Sequence, residues 1–114
     1  MALQGTTREV NDIIIVDFSG KITLGEGSAL LRKTIRELLD EGRTKIVLNL
    51  ADVNYIDSSG IGELVTAFTT VKKSGGDLKL LYLTKKVHDL LQLTKLFTVF
   101  DVYSDENAAV SSFR

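Results

Sequence analysis

The sequence predicts an α/β fold, a small mixed but mainly parallel β-sheet with helices packed on one face, in the order ββαβαβαβα. Short continuous apolar runs such as residues 46–48 are typical of strands buried on both faces. They alternate with segments whose apolar residues recur at helical spacing, which implies right-handed crossovers between parallel strands. The 114 residues contain no proline and no low-complexity linker. We therefore expect one domain over residues 1–114.

The N-terminal half is predicted to hold a hairpin, one helix and one buried strand. Asn11 and Asp12 mark the hairpin turn, and Gly42 suits the C-terminal cap of the helix. The predicted elements are a strand at 8–10, a stronger strand at 13–18 that ends at 19–20, a helix at 28–41, a strand at 45–50 and a loop at 51–60.

The C-terminal half is predicted to alternate helices and strands to its end. Its first helix has an apolar stripe that starts at Ile61 and is expected to stop near residues 74–76. Thr84 is a suitable N-cap for the next, shorter helix. The remaining predicted elements are a buried strand at 78–83, a last strand at 97–102 and a terminal helix at 105–113.

Composition excludes several classes of function. A formal net charge of -1 provides no basic surface for nucleic acid or an acidic membrane. The chain has no cysteine and a single histidine, His88, which excludes thiolate chemistry and His-rich or Cys-ligated metal sites. Its first residues lack a signal-peptide pattern, and no apolar run approaches the roughly 20 residues that span a bilayer. We expect a cytoplasmic protein without metal, cofactor, membrane or direct nucleic-acid binding.

Residues 55–62, YIDSSGIG, lie between a buried strand and a helix, which is where functional loops of such sheets occur. A reciprocal capping box with Glu63 would place the cap at Gly60, which has no side chain. At least one hydroxyl of Ser58 and Ser59 is therefore not needed for capping. Two glycines also weaken the first helical turn, by up to about 1 kcal/mol each. Small residues there leave the backbone open to close approach by another molecule.

The sequence offers three kinds of candidate site, two of them in this segment and one at residues 20–28. A nucleophilic serine paired with His88 is disfavoured, because the segment is not a G-x-S-x-G elbow and no acid, base and nucleophile occur together. The glycines and lysine of residues 20–28 are not in P-loop or dinucleotide-binding order, so a flexible connection with Ser28 near the helix cap is the better interpretation. A third reading is phosphorylation, which adds a charge that the helix N-terminus tolerates but that repels a partner. We expect no enzymatic activity.

Four segments resemble the anti-sigma factor antagonists, also called anti-anti-sigma factors, of the STAS domain family. These are residues 46–50 (IVLNL), 52–62 (DVNYIDSSGIG), 73–76 (KSGG) and 87–97. The Asp-Ser-Ser-Gly-Ile-Gly core, after a buried strand and before a helix, is the most specific of them. The resemblance covers nearly the whole chain and implies the STAS fold, a small sheet flanked on one face by helices.

The resemblance also implies a partner-switching regulator. Unphosphorylated family members bind a serine-kinase anti-sigma factor and so release a sigma factor. The kinase phosphorylates the serine directly after the motif aspartate, which is Ser58 here with Ser59 as second choice, and a PP2C-type phosphatase reverses this. The alternative is a constitutive STAS interaction subunit of a transport or signalling complex, without phosphorylation. Monomer and weak dimer are both compatible with the sequence.

The implied partner-binding surface consists of residues in two neighbouring turns. Many phosphorylatable members carry an acidic residue in the turn after the second strand, and Thr23 occupies that place here. This turn is expected to lie beside the serine segment. The expected surface is Thr23, Asp57, Ser58, Ser59, Gly60, Ile61 and Gly62.

Overall fold

The computed structural model describes residues 2–113 and contains one five-stranded sheet, with the strands in spatial order β1-β2-β3-β4-β5. β1 and β2 are antiparallel, and every other neighbouring pair is parallel. The predicted sheet type and element order are confirmed. The elements are β1 (Gln4–Val10), β2 (Ile13–Ile22), α1 (Glu26–Asp40), β3 (Lys45–Ile56), α2 (Ser58–Lys73), β4 (Asp77–Leu81), α3 (Lys85–Leu93), a 3-10 turn (Phe97–Val99), β5 (Val102–Tyr103) and α4 (Glu106–Ser111).

The local signals for turns and caps are confirmed at three places. Asn11 and Asp12 join β1 to β2 with φ of 51° and 71°, a left-handed conformation that these residue types tolerate and that two-residue hairpins require. Gly42 follows α1 with φ of 77°. The Thr84 side chain accepts a hydrogen bond from the Val87 N–H and so caps α3.

The two faces of the sheet are covered unequally. Alternate residues of β2, such as Ile14 and Val16, belong to the large core that α1, α2 and α3 cover. Their neighbours belong to a smaller core on the opposite face, which includes Ala109 and Val110 of α4. The prediction of helices on one face is therefore confirmed for three helices and corrected for the fourth. The small apolar residues of α4 cover the apolar residues that the strands direct to the second face.

β2 and β3 are both longer than predicted. β2 continues through Gly20, whose φ of 111° suits glycine alone, and pairs with β3 up to the partners Ile22 and Ile56. The segment predicted as a loop is the second half of β3. Its exposed Asp52 and Asn54 alternate irregularly with buried Val53 and Ile56, because only one face of this extension is covered. Polar residues on the uncovered face produced the loop-like pattern.

The predicted strand at residues 97–102 is wrong in most of its length. Residues 97–99 form a 3-10 turn, and only Val102 and Tyr103 pair with β4. The Phe100 side chain is buried and meets Phe68 edge-to-face, with ring centroids 5.5 Å apart. The apolar run therefore packs on helix α2 instead of extending the sheet.

An ion-pair network attaches α4 to the hairpin. The Arg8 guanidinium donates to both Asp17 carboxylate oxygens and to both Glu106 carboxylate oxygens, at 2.7–3.2 Å. Asn49 adds a 2.8 Å hydrogen bond to Asp17. Hydrogen bonding to Arg8 lowers the pKa of Asp17 and that of Glu106, against a smaller effect of burial. Both carboxylates therefore stabilise the fold above their ordinary pKa of about 4, and lose that contribution as pH falls through their lowered values.

We expect Arg8→Met to lower the free energy of unfolding by about 1 kcal/mol at pH 7, because the network is partly exposed and screened by solvent. The loss should shrink as both carboxylates are protonated below about pH 4. Urea denaturation of both proteins over a series of pH values measures this. Lys33→Met, at an exposed lysine of α1, is the control. If the difference in free energy of unfolding between the wild type and Arg8→Met does not change with pH, packing and not charge explains the effect.

Candidate functional site

The turn after β2 and the turn after β3 lie side by side at one end of the sheet. The Asp57 N–H donates to the Ile22 carbonyl over 3.3 Å, which continues the pairing of the two strands by one step. The expected proximity of the Thr23 turn and the serine segment is therefore observed. β3 extends well past Asn49, the last of its residues that pairs with β4, so both turns project beyond the rest of the sheet.

The Asp57 carboxylate accepts one hydrogen bond from each of the two turns, the turn after β2 and the turn after β3. Its Oδ1 accepts from the Gly60 N–H at 2.8 Å and so caps α2, and its Oδ2 accepts from the Leu24 N–H at 3.1 Å. The hydrogen bond from Gly60, then that from Leu24, lowers the pKa of Asp57 despite some loss of solvation. Asp57 is therefore ionised at neutral pH, and the cap of α2 is this aspartate, not a serine.

In the described part of the chain, the hydroxyls of Ser58 and Ser59 have no structural role. Ser58 is the first residue of α2 and is exposed, and Ser59 is half-buried. Within residues 2–113, neither hydroxyl makes a hydrogen bond. The sequence predicted that at least one serine has no capping role. In the structure neither serine caps α2, because Asp57 does. Ser58 thus presents its hydroxyl to solvent at the positive end of a helix dipole.

The two glycines of the segment have different surroundings. Gly60 is buried, and a Cβ at this position would overlap the Ile22 carbonyl oxygen and lie 2.7 Å from Ile56 Cγ1. A Cβ on Gly62 would meet nothing within 4 Å. Gly60 therefore permits close approach of α2 to β2 inside the protein, and not of a partner, which corrects the reading of this glycine as open backbone. Gly62 is exposed, so its backbone is open.

The predicted surface is only partly accessible. Ile61 is 3% exposed and belongs to the main core, so it and Gly60 offer almost no surface. The accessible residues are Ser58 and Gly62, with Thr23, Asp57 and Ser59 half-buried. Leu24, which the sequence reading did not single out, is 77% exposed next to Asp57. An apolar residue inside a polar, glycine-rich turn was the available signal for it.

Ser28 has a structural role in the neighbouring turn. Its N–H and its hydroxyl both donate to the Thr23 carbonyl, each at 3.0 Å. α1 begins at Glu26, slightly before the predicted start, after Gly25 with φ of 96°. The side chain of Ser28 is buried, so the interpretation of residues 20–28 as a connection and not a phosphate cradle fits this geometry.

His88 lies in a setting unlike that of a catalytic base. Its Nδ1 is 3.5 Å from Asp89 Oδ1, and its ring meets Phe97 edge-to-face at 4.8 Å between centroids. In the described part of the chain no contact joins it to Ser58. Among residues 2–113, no group of three or more acidic or histidine side chains is placed to hold a metal ion. None of the helices in that range is long and apolar enough to cross a bilayer.

Residues 5–109 match the STAS domain family. The chain belongs to the STAS domain family. It is 34% identical to the anti-sigma-B factor antagonist of Bacillus subtilis over 100 residues, which are 88% of this chain and 89% of that protein. It is 27% identical to the anti-sigma F factor antagonist of Paenibacillus polymyxa, over 97% of this chain and 95% of that protein. The resemblance noted from the sequence is confirmed.

Solved structures of the STAS family share this fold. A crystal structure of a candidate anti-sigma factor antagonist from Thermotoga maritima superposes with a TM-score of 0.88 at 30% identity, covering 96% of this chain and 94% of that one. The anti-sigma factor antagonist SpoIIAA in its unphosphorylated form gives 0.70 at 19% identity, covering 95% and 96%. SpoIIAA from Bacillus in its phosphorylated form gives 0.72 at 18% identity, covering 95% and 97%.

The two glycines provide a matched test of this geometry. Gly60→Ala should destabilise the STAS domain by about 2 kcal/mol or more, because its Cβ has no room beside the Ile22 carbonyl. Gly62→Ala should be neutral or stabilise it by up to about 1 kcal/mol, since alanine is the better helix former. Thermal and urea unfolding of both variants measures this. Equal effects of the two substitutions would contradict the close packing at Gly60.

Proposed function

We propose that this STAS domain is an anti-sigma factor antagonist that works by partner switching. In its unphosphorylated form it binds a serine-kinase anti-sigma factor, which releases a sigma factor. When Ser58 is phosphorylated, it dissociates from the kinase. The observation that carries this proposal is the exposed Ser58 hydroxyl. It follows the capping Asp57 directly and makes no hydrogen bond within the described chain.

Relatives support the proposal at the level of function. The B. subtilis protein, 34% identical, is an anti-sigma-B factor antagonist, and the P. polymyxa protein antagonises an anti-sigma F factor by its name. SpoIIAA, which shares the fold, occurs in a phosphorylated form. The partner inferred for this chain is accordingly a cytoplasmic anti-sigma factor with serine-kinase activity, and a PP2C-type phosphatase would restore the binding form.

The surroundings of Ser58 support a change in binding on phosphorylation that does not require the domain to unfold. The fold need not rearrange, because the Ser58 hydroxyl makes no hydrogen bond with the described residues. The phosphate adds a charge of about −1.5 to −2 at neutral pH, which the N-terminus of α2 accommodates. It would lie beside the ionised Asp57, at the surface formed with Thr23, Ser59 and Gly62. A partner docked closely on this surface then meets a bulky concentrated negative charge.

Nothing in this role requires catalysis by the STAS domain itself. The chemistry belongs to the kinase, which transfers the γ-phosphoryl group of ATP to the Ser58 oxygen, takes up the hydroxyl proton and releases ADP. Ser59, the second choice as acceptor, is half-buried one residue further into α2 and therefore less accessible to a kinase. We propose the domain as a substrate and binding partner, not as an enzyme.

Phosphorylation is tested by incubating the protein with the anti-sigma factor kinases encoded in the source genome and ATP, followed by mass spectrometry. We expect a single phosphate on Ser58. Ser58→Ala should abolish the modification, and the matched variant Ser59→Ala should retain it. No phosphate on either serine, together with intact kinase binding, would favour the constitutive STAS subunit instead.

Charge at position 58 should control binding. We expect Ser58→Asp to weaken the affinity for the anti-sigma factor at least tenfold, because it places a second carboxylate beside Asp57. Ser58→Ala should bind within about twofold of the wild type. Isothermal titration calorimetry measures both variants, and circular dichroism verifies their folding. Equal affinity of the two variants would contradict switching by charge.

A further inference from the structure

A basic aromatic patch lies next to the serine segment. The Tyr55 ring, 41% exposed at the end of β3, has two lysine ammonium groups near it. Lys21 Nζ is 5.8 Å and Lys86 Nζ 5.5 Å from the ring centroid. Neither lysine has a carboxylate within 4.0 Å among the described residues. We call Lys21, Tyr55 and Lys86 the Tyr55 patch.

An apolar groove continues this patch along α3. It measures about 390 Å³ and is lined by Tyr55, Ile56, Lys86, Asp89, Leu90 and Leu93. Leu93 is 79% exposed, an unusual setting for a leucine on a helix with apolar neighbours. The one acidic group of the lining, Asp89, is already paired with Lys85 at 2.6 Å. The groove is therefore apolar at its base and positive at the end where it meets the Tyr55 patch.

We propose that the Tyr55 patch and its groove dock an acidic, apolar segment of the anti-sigma factor. The proposal rests on the proposed function and specifies the chemistry of the partner. Two cations held over one ring, with no carboxylate within 4.0 Å in residues 2–113, are complementary to carboxylates. The apolar base beside them accepts a large apolar side chain of the same segment, with Leu93 exposed at its edge.

The position of the patch relative to Ser58 links it to switching. Tyr55 lies three residues before Ser58, and Ile56, which lines the groove, precedes the capping Asp57 directly. We infer that a charge on Ser58 acts on this neighbouring patch electrostatically, with a screening length of about 8 Å at physiological salt. A phosphate on Ser58 lowers the positive potential of Lys21 and Lys86 and repels the acidic segment that they attract. One modification thus acts both on the serine surface and on the neighbouring contact.

The test is calorimetric titration of the anti-sigma factor kinase, the same protein used above, into charge-reversal variants of the full chain. We expect the double variant Lys21→Glu, Lys86→Glu to bind at least tenfold more weakly than the wild type, with a smaller dependence of affinity on salt. Leu93→Gln should weaken binding severalfold. The control Lys73→Glu reverses an exposed lysine at the other end of α2 and should bind within about twofold of the wild type.

The outcomes separate this inference from the proposed function. If the double variant binds within twofold of the wild type while Ser58→Asp binds weakly, the Tyr55 patch is not a docking contact and the antagonist role stands. If the wild type binds no anti-sigma factor, both proposals are overturned. Lys21→Gln with Lys86→Gln removes the charges without reversing them. An intermediate loss of affinity in this variant, with an unchanged melting temperature, supports the inference.

Discussion

The two hydrogen bonds of the Asp57 carboxylate organise the end of this STAS domain that carries the candidate site. One oxygen caps α2, and the other holds the backbone of the neighbouring turn at Leu24. A single ionised side chain therefore sets where the helix starts and how the two turns lie against each other. Because this aspartate completes the cap, the serines that follow it are available for other chemistry. The exposed position of Ser58 is a consequence of that division of tasks.

The pairing of β2 with β3 beyond the rest of the sheet makes this arrangement possible. The two strands stay paired to Ile22 and Ile56 through two register shifts, and the absence of a side chain on Gly60 lets α2 begin against the Ile22 carbonyl. The same extension brings Lys21 beside Tyr55. The serine segment, the Thr23 turn and the Tyr55 patch thus share one support, the paired ends of β2 and β3. A partner that contacts all three would meet backbone whose hydrogen bonds are already formed within this domain.

Periodicity and turn chemistry predicted most of the fold, and the errors have physical causes. The hairpin turn, the Thr84 cap and the alternation of strands with helices follow from local residue types. The second half of β3 was missed because Asp52 and Asn54 face an uncovered side, so its burial is set by tertiary packing alone. The strand predicted at residues 97–102 failed because a short apolar run does not distinguish sheet pairing from packing on a helix. The place of α4 on the second face depends on contacts distant in sequence, such as Arg8 with Glu106.

At the candidate site, too, the sequence did not predict features that depend on contacts between residues distant in sequence. Counting residues predicted that the serines exceed the needs of capping, and the resemblance to antagonists selected Ser58. Neither indicated that Gly60 serves internal packing, because that requires knowing what lies opposite it. The Tyr55 patch was equally hidden: Lys21, Tyr55 and Lys86 are distant in sequence and meet only when β2, β3 and α3 are assembled. A candidate phosphoryl acceptor can be recognised from a local motif. The charged surface around it cannot, because its residues are brought together only by the fold. The specificity of such a switch for its partner should therefore vary with these surrounding residues more than with the serine motif itself.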